Sequence, residues 1–178
     1  DVLRSNGIAR LGGDDFDKAL QTLVFKKTME EFGHELDNDD YPLCDAEDGK
    51  ISLSKRNNKS INLRAIKKNI KVSRIEFEEV ISSSLAKMQL ASEAVVKEAK
   101  LDMGDIEAVF LVGGSTRIPA VHNLVEKVFR QKPVVSANVD EVVALGASLY
   151  AAYKGDQSKL NPIQKSSISN IKVGETTS

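Results

Sequence analysis

Cysteine, histidine and tryptophan are scarce in this 178-residue chain, which contains one Cys, 2 His and no Trp. Cys44 alone cannot form an internal disulfide, which excludes a disulfide-framed secreted module and favours a reducing compartment, so we expect a cytoplasmic protein. His34 and His122 lie far apart and have no ligand spacing to another His, Cys or acid. The sequence therefore predicts neither a metal site nor a cysteine nucleophile.

An excess of charge of one sign is also missing, because 25 Lys and Arg balance 26 Asp and Glu to a formal net charge of -1. This balance removes any global attraction to nucleic acid or to anionic membranes. The 5% aromatic content offers no stacking platform for bases, and no apolar run approaches the roughly 20 residues that span a bilayer. We expect neither nucleic acid nor a membrane as a partner.

The 41% of hydrophobic residues is enough for one domain that folds without a metal or disulfide. The chain opens at Asp1 directly in strand-like sequence, so we expect it to be cut from a longer protein. The ordered part is predicted to end at about residue 154, with residues 155–178 as a flexible tail or interdomain linker.

The pattern of apolar residues predicts alternating helices and strands, typical of an α/β fold with a mostly parallel sheet. In the first half we expect a hairpin over 1–10, a helix over 14–33 and an acidic loop or poor helix over 37–48. Residues 50–74 are predicted to form strands or a hairpin with a basic outer face and a turn at Asn57-Asn58. The remaining elements are a capped helix over 74–100 with a break near 82–84 or 89, a buried strand over 108–112, a helix from Pro119, a short strand near 134–135 and a helix over 140–153.

One local device occurs twice, a strand followed by Gly-Gly, polar residues and a helix. It lies at Gly12-Gly13 and again at Gly113-Gly114. Glycine lets a ligand approach the backbone, and a helix N-terminus offers free N–H groups to an anion. Ser115, Thr116 and Arg117 after the second pair add hydroxyls and a planar cation. From these residues alone, a nucleotide site and a simple packing turn remain equal alternatives.

The acids beside these glycines modify that interpretation. Asp14 and Asp15 place negative charge where a phosphate would lie, so Gly12-Gly13 is better suited to a sugar, and Asp14 itself is interpreted as a helix cap. Asp140 and Glu141 likewise suit a helix N-terminus.

Three segments resemble, in order and spacing, the second lobe of the ATPase domain in the DnaK-type heat-shock-70 chaperone family. The segments are Asn6 to Asp17, Phe110 to Pro119 with its Val-Gly-Gly-Ser-Thr-Arg-Ile-Pro run, and Asp140 to Ala147. The resemblance covers about residues 1–154. It implies an actin-like, ribonuclease H-like lobe with a mixed sheet, flanking helices and a small α+β subdomain inserted at about 14–100.

The same resemblance implies a site for the adenosine part of ATP or ADP. Gly13 would lie by the ribose, Gly113, Gly114 and Ser115 would approach the nucleotide, and Arg117 would stack on adenine with Asp140 in the same pocket. The run from Ala46 to Ser54 resembles the family's adenosine-contacting helix. This resemblance implies that Glu47, Lys50 and Ser54 contact the adenosine. Ile51 replaces a second basic residue there and Val139 replaces a proline, so we expect weak adenosine binding.

The family's first-lobe phosphate loop, catalytic lysine and second phosphate loop have no counterpart in this sequence. We predict no catalytic residue in this chain and no ATP hydrolysis by it alone, with Mg²⁺ held only when the first lobe is present. The partners implied by the resemblance are adenine nucleotide, the first lobe and peptide-binding domain of the same protein, a nucleotide-exchange factor and a J-domain co-chaperone.

Two other interpretations are compatible with parts of the sequence. Ile51 and the atypical tail fit a degenerate chaperone-like interaction module that has lost nucleotide switching. An actin-like filament protein or a sugar kinase shares the expected fold, but the Gly-Gly-Ser-Thr-Arg-Ile-Pro run argues against both.

Overall fold

The computed structural model describes residues 2–9, 11–135, 139–154, 158, 161–163 and 165, without the side chains of 152–154. Within them the chain is a mixed α/β structure of helices and two small sheets. The predicted tail over 155–178 lies almost wholly outside the described residues. Every described helix is shorter or less apolar than one that crosses a bilayer.

The first half of the chain holds two helices and a hairpin. These are α1 (Gly13–Phe32), α2 (Leu43–Lys55), β1 (Asn58–Leu63) and β2 (Lys68–Ser73). Helix α1 begins and ends as predicted, with Gly33 in a left-handed conformation at its C-terminus. Helix α2 corrects the loop alternative over 37–48 and the strand expected from residue 50, whereas the strands of this region form at 58–63 and 68–73. Pro42 lies at the N-cap of α2, where it costs no hydrogen bond.

The hairpin differs from its prediction in two respects. Its turn lies at residues 64–67, where Lys67 adopts φ 52, whereas Asn57-Asn58 joins α2 to β1. The pairs Asn58–Ser73, Ser60–Lys71 and Asn62–Asn69 form the outer face, so that face is mostly uncharged. The predicted basic outer face is therefore wrong, because Lys71 is the one cation among these six residues.

Helices α3 (Arg74–Val80) and α4 (Ser82–Glu98) come from the predicted long helix, which breaks at Ile81. Ser73 and Glu76 form the expected capping box, since the Ser73 hydroxyl accepts from the Glu76 N–H at 3.2 Å.

The last part contains β3 (Phe110–Leu111), α5 (Pro119–Phe129), β4 (Val134–Val135) and α6 (Val142–Lys154). Strands β3 and β4 pair in parallel, but Phe110 is 68% exposed. The expected strand buried on both faces is thus wrong within the described residues. The N-terminal hairpin over 1–10 is also wrong, because residues 2–8 have no regular secondary structure.

The main core joins α1, α2, the β1–β2 hairpin and α3, and it extends to the start of α5. Its fully buried side chains include Phe16, Leu20, Leu53, Leu63, Ile70, Phe77 and Ile118. This core fixes the first turn of α1 beside the middle of α2. That junction forms one side of the cleft described next.

Candidate functional site

The first turn of α1 lies close to two other segments of the chain. The Gly12 N–H donates to Oδ2 of Asp15 at 2.9 Å, so Asp15 caps the helix. A Cβ built on Gly13 would lie 3.3 Å from Oγ of Ser115 and 3.4 Å from Nζ of Lys50. Only glycine leaves this junction open without displacing a neighbour.

Lys50 is held beneath that junction by a buried ion pair. Its Nζ lies 2.8 Å from Oδ1 and 2.9 Å from Oδ2 of Asp17, where it donates a hydrogen bond, and 3.4 Å from the Gly13 carbonyl oxygen. Lys50 is 8% exposed and Asp17 is 5% exposed. Burial raises the pKa of Asp17, the Lys50 charge opposes this shift, and Glu47 and Asp14 add to it.

Helix α2 forms one wall of the cleft. Glu47, Lys50, Ile51 and Ser54 share a helix face because their spacing of three and four residues brings them together. The Ser54 hydroxyl donates to the Lys50 carbonyl oxygen at 2.9 Å, which leaves its lone pairs available as acceptors. The resulting wall is polar except for Ile51, which is 44% exposed.

The opposite wall is the turn after β3. Gly113 has φ 90, which favours glycine, and its N–H donates to the Val139 carbonyl oxygen at 2.8 Å. The Thr116 hydroxyl donates to the Gly113 carbonyl oxygen at 2.7 Å. These bonds fix the turn so that Gly114 and Ser115 face the cleft, and they bring in the residue that follows Val139.

That residue, Asp140, contacts Arg117 at the mouth of the cleft. One guanidinium nitrogen of Arg117 donates to Oδ2 of Asp140 at 2.5 Å, and both side chains are more than half exposed. The carboxylate holds one edge of the guanidinium, so its planar faces stay available for stacking on an aromatic ring.

These walls enclose a cleft of about 540 Å³. Its lining residues are Gly13, Asp14, Glu47, Lys50, Ile51, Ser54, Lys55, Gly114, Ser115, Arg117 and Asp140. Every sequence-predicted site residue except Gly113 is among them, and Gly113 shapes the turn from behind. Four separate segments of the chain therefore converge on one cavity.

The sequence interpretation missed three residues of this site. Asp14 lines the cleft, whereas Asp15 provides the cap, so the interpretation of Asp14 as a cap is wrong. Asp17 is the second missed residue. It lies on the apolar face of α1 with Leu20 and Val24, and an acid in such a position indicates that its carboxylate pairs with another buried group. Lys55 follows Ile51 by one helical turn and therefore reaches the same wall.

The cleft contains cations, hydroxyls and backbone donors but no metal centre. Across the described part of the chain, no three His, Cys, Asp or Glu side chains come together as metal ligands. A neutral polar ligand fits this composition best, because the floor combines the Lys50–Asp17 pair with the acids Asp14 and Glu47, which would repel an anionic group.

Comparison with known proteins supplies the family. The family model described as Hsp70 protein matches residues 1–171. The chain is 37% identical over 164 residues to "Chaperone protein dnaK" of Cyanidium caldarium, covering 85% of this chain and 26% of that protein. It is 40% identical over 163 residues to "Heat shock 70 kDa protein 6, chloroplastic" of Arabidopsis thaliana, covering 85% and 23%.

A third relative is "Chaperone protein HscA homolog" of Acinetobacter baylyi, which is 39% identical over 153 residues, covering 85% of this chain and 24% of that protein. The chain thus spans about a quarter of the length of the relatives it matches. With a family model that covers most of its residues and relatives at this identity, the chain belongs to the Hsp70 family.

Proposed function

We propose that this chain is the C-terminal lobe of an Hsp70 ATPase domain and that its cleft binds the adenosine part of ATP or ADP. The observation that carries the proposal is the convergence of Gly13, the α2 wall, the turn at Gly114-Ser115 and Asp140 on one cavity of about 540 Å³. These are the segments on which the family resemblance rests.

The chemistry of each wall suits one part of an adenosine. The free planar faces of Arg117 stack on the adenine ring, while its edge stays on Asp140. Glu47 and the Ser54 hydroxyl accept from ribose hydroxyls, and the Lys50 ammonium donates to ribose oxygens from the floor. The open space at Gly13, which a Cβ would narrow, admits the sugar.

An apolar surface outside the cleft supports the assignment to one lobe of a larger domain. Phe110 on β3, Val135 on β4 and Val143 on α6 are 68%, 49% and 67% exposed. A two-stranded parallel sheet is rarely stable with its apolar residues in water, because parallel sheets are normally covered on both faces. In the proposed parent protein, further elements of the ATPase domain cover these side chains.

We assign no hydrolytic step to this chain alone. Transfer of a phosphoryl group needs Mg²⁺ ligands and a positioned water. In the proposed parent, the first lobe supplies them, and this lobe holds the nucleoside and transmits nucleotide state to a peptide-binding domain. Exchange factors and J-domain co-chaperones are the partners that this proposal implies.

Calorimetric titration of the chain with ADP tests the proposal. We expect saturable binding that Arg117→Ala weakens and Arg64→Ala leaves unchanged, because Arg64 is exposed and lies outside the cleft. Absence of ADP binding both by the chain and by a protein extended through the first lobe would overturn the proposal.

A second candidate is an interaction module of the same fold without nucleotide switching. Ile51 favours this candidate, because its apolar side chain occupies the α2 wall at the position where the family resemblance implies a cation. Limited proteolysis of the protein extended through the first lobe distinguishes the two candidates. A change in protease sensitivity on adding nucleotide supports the ATPase lobe, and no change in a correctly folded protein supports the interaction module.

A further inference from the structure

A groove between α2 and β1 forms a second surface next to the cleft, and Ile51 and Lys55 on α2 line both. It consists of two adjoining pockets of about 240 and 370 Å³ that share Asp48 and Lys59. Its β1 side runs from Lys59 to Arg64, and α2 lines its other side from Asp45 to Lys55. We call this feature the α2–β1 groove.

Unpaired cations stand at both ends of the groove. Lys55 and Arg56 line one end, Lys59 lies where the two pockets meet, and Arg64 stands at the other end, next to the hairpin turn with Lys67 and the start of β2 at Lys68. In the described part of the chain none of these six forms an ion pair, unlike Lys27, Lys50 and Arg117. From Lys50 to Arg74 the sequence has nine basic residues and no acid.

Strand β1 also has an unused edge along this groove. It pairs with β2 on one side, and within the described residues no other strand joins it. Half of its N–H and C=O groups therefore point towards the groove, where they offer hydrogen bonds to an added strand. An extended polypeptide is the ligand that uses such an edge.

We propose that the α2–β1 groove binds an extended acidic segment of a partner protein, which adds to the free edge of β1 and places carboxylates on the cations at both ends. Lys59 and Arg64 are five residues apart on an extended strand, which corresponds to about 16 Å. A peptide with acids near its two ends and β-branched residues between them matches that spacing.

The charges in the middle of the groove distinguish a peptide from a nucleic acid. Asp45 and Asp48 line the wall opposite Lys59 and Arg64. A polynucleotide carries a negative charge on every nucleotide and would bring phosphates against these carboxylates. A peptide can keep its middle uncharged. The hairpin also carries no aromatic side chain, and Tyr41, which lines the groove from the α2 side, is only 2% exposed and offers a base no face for stacking.

Fluorescence anisotropy of the full chain with a labelled peptide tests the proposal. The probe has Glu at both ends and alternating Thr and Val between them; the comparison probes have Lys in place of Glu or are oligothymidylate of similar length. We expect saturable binding of the Glu probe alone, weakening as salt rises. Equal or tighter binding of oligothymidylate, or no saturable binding of the Glu probe, would overturn the proposal.

The triple variant R56A/K59A/R64A removes cations of the groove without touching the cleft lining. We expect its affinity for the Glu probe to fall about tenfold or more, whereas ADP binding stays unchanged. The control K87A/K97A/K127A removes the same charge from exposed positions on α4 and α5 and should bind the probe as the parent does. Equal losses in both variants would show non-specific attraction and refute the groove.

A probe methylated on alternate backbone nitrogens tests whether the peptide pairs with β1 as an added strand. Methylation blocks main-chain donors but leaves the carboxylates in place, so we expect clearly weaker binding. Undiminished binding of the methylated probe would refute pairing with β1. Because every peptide-binding measurement omits nucleotide, failure of the proposed adenosine site leaves the peptide results intact.

Discussion

The ammonium nitrogen of Lys50 lies 2.8 Å from one carboxylate oxygen of Asp17 and 2.9 Å from the other, at the buried floor of the cleft. The pair joins α1 to α2 and lies directly beneath Gly13, whose carbonyl oxygen is 3.4 Å from the same nitrogen. Two charges so deeply buried contribute little net stability, because desolvation offsets their attraction. Their value lies in fixing where the ammonium points.

Asp17→Asn separates these two roles. The substitution leaves the Lys50 charge buried without a counter-charge, so we expect the free energy of unfolding to fall by about 3 kcal/mol in urea denaturation. ADP affinity should fall as well, because the ammonium loses its anchor. The double variant D17N/K50M should regain most of the stability but not the affinity. A single variant as stable as the parent would contradict this account.

Gly13→Ala tests the close approach of α1 to the turn after β3. The new Cβ lies 3.3 Å from Oγ of Ser115, so that hydroxyl must shift by a few tenths of an ångström, and at 3.4 Å it touches Nζ of Lys50, so the cleft narrows. We expect ADP affinity to fall severalfold with little change in melting temperature. Gly12→Ala is a matched control, since its Cβ meets nothing within 4 Å and its φ of -159 suits any residue. Similar losses in the two variants would show that the junction is unimportant.

The parts of the fold that follow from the sequence are those with local signals. Helix α1 is marked by its apolar stripe and by Gly33, and the start of α3 by the Ser73–Glu76 capping box. The turn of the hairpin was misplaced because Asn57-Asn58 has stronger turn chemistry than residues 64–67, where Lys67 takes a left-handed conformation. Packing of Ile61 and Ile70 against the core decides this register.

The elements that were predicted wrongly depend on partners that are distant in the sequence. Residues 2–8 and 108–112 have strand-like sequence, but an apolar strand forms only where neighbours pair with it, and β3 has just β4 within the described residues. The cleft residues were found through motifs at Gly13, Gly114 and Asp140, whereas the motif that ends at Asp17 gives no sign of the partner of that carboxylate. Its role depends on a contact 33 residues away along the chain, which no local pattern reports.

Arg117 is expected to act on affinity and not on stability. Its ion pair with Asp140 is exposed, and exposed pairs contribute roughly 0–1 kcal/mol. Arg117→Ala should therefore unfold at nearly the parent's urea concentration but bind ADP about tenfold more weakly. Arg117→Lys keeps the charge and loses the planar group. If stacking is the contribution, Lys behaves like Ala in calorimetry; full retention of affinity by the Lys variant would show that charge alone matters.

Glu76 makes the stability of the chain sensitive to acid. Burial opposes its ionisation, but hydrogen bonds from Lys27 and Ser73 outweigh burial and lower its pKa from 4.5 to about 2. A lowered pKa in the folded state adds stability above the unfolded value, and that stability is lost as pH falls from about 4.5 towards 2.

Glu76→Gln should therefore lower stability at neutral pH and flatten its loss in this acidic range, measured as urea midpoints against pH. Glu79→Gln is the matched control on the same helix, because Glu79 is exposed and its carboxylate makes no hydrogen bond within the described residues. An unchanged acid slope in Glu76→Gln would show that other carboxylates control the transition.

Ile51→Arg is expected to strengthen the proposed adenosine site. The side chain is 44% exposed and lines the cleft, so a guanidinium at this position can lie over a bound base opposite Arg117 without disturbing the core. Glu47 precedes position 51 by four residues, so its carboxylate attracts the new guanidinium along the helix. We therefore expect the free energy of unfolding to stay within about 0.5 kcal/mol of the parent's. We expect calorimetry to show about tenfold tighter binding of both ADP and unphosphorylated adenosine. Tightening for ADP but not for adenosine would indicate attraction to phosphate, and unchanged affinity for both would show that Ile51 does not limit this site.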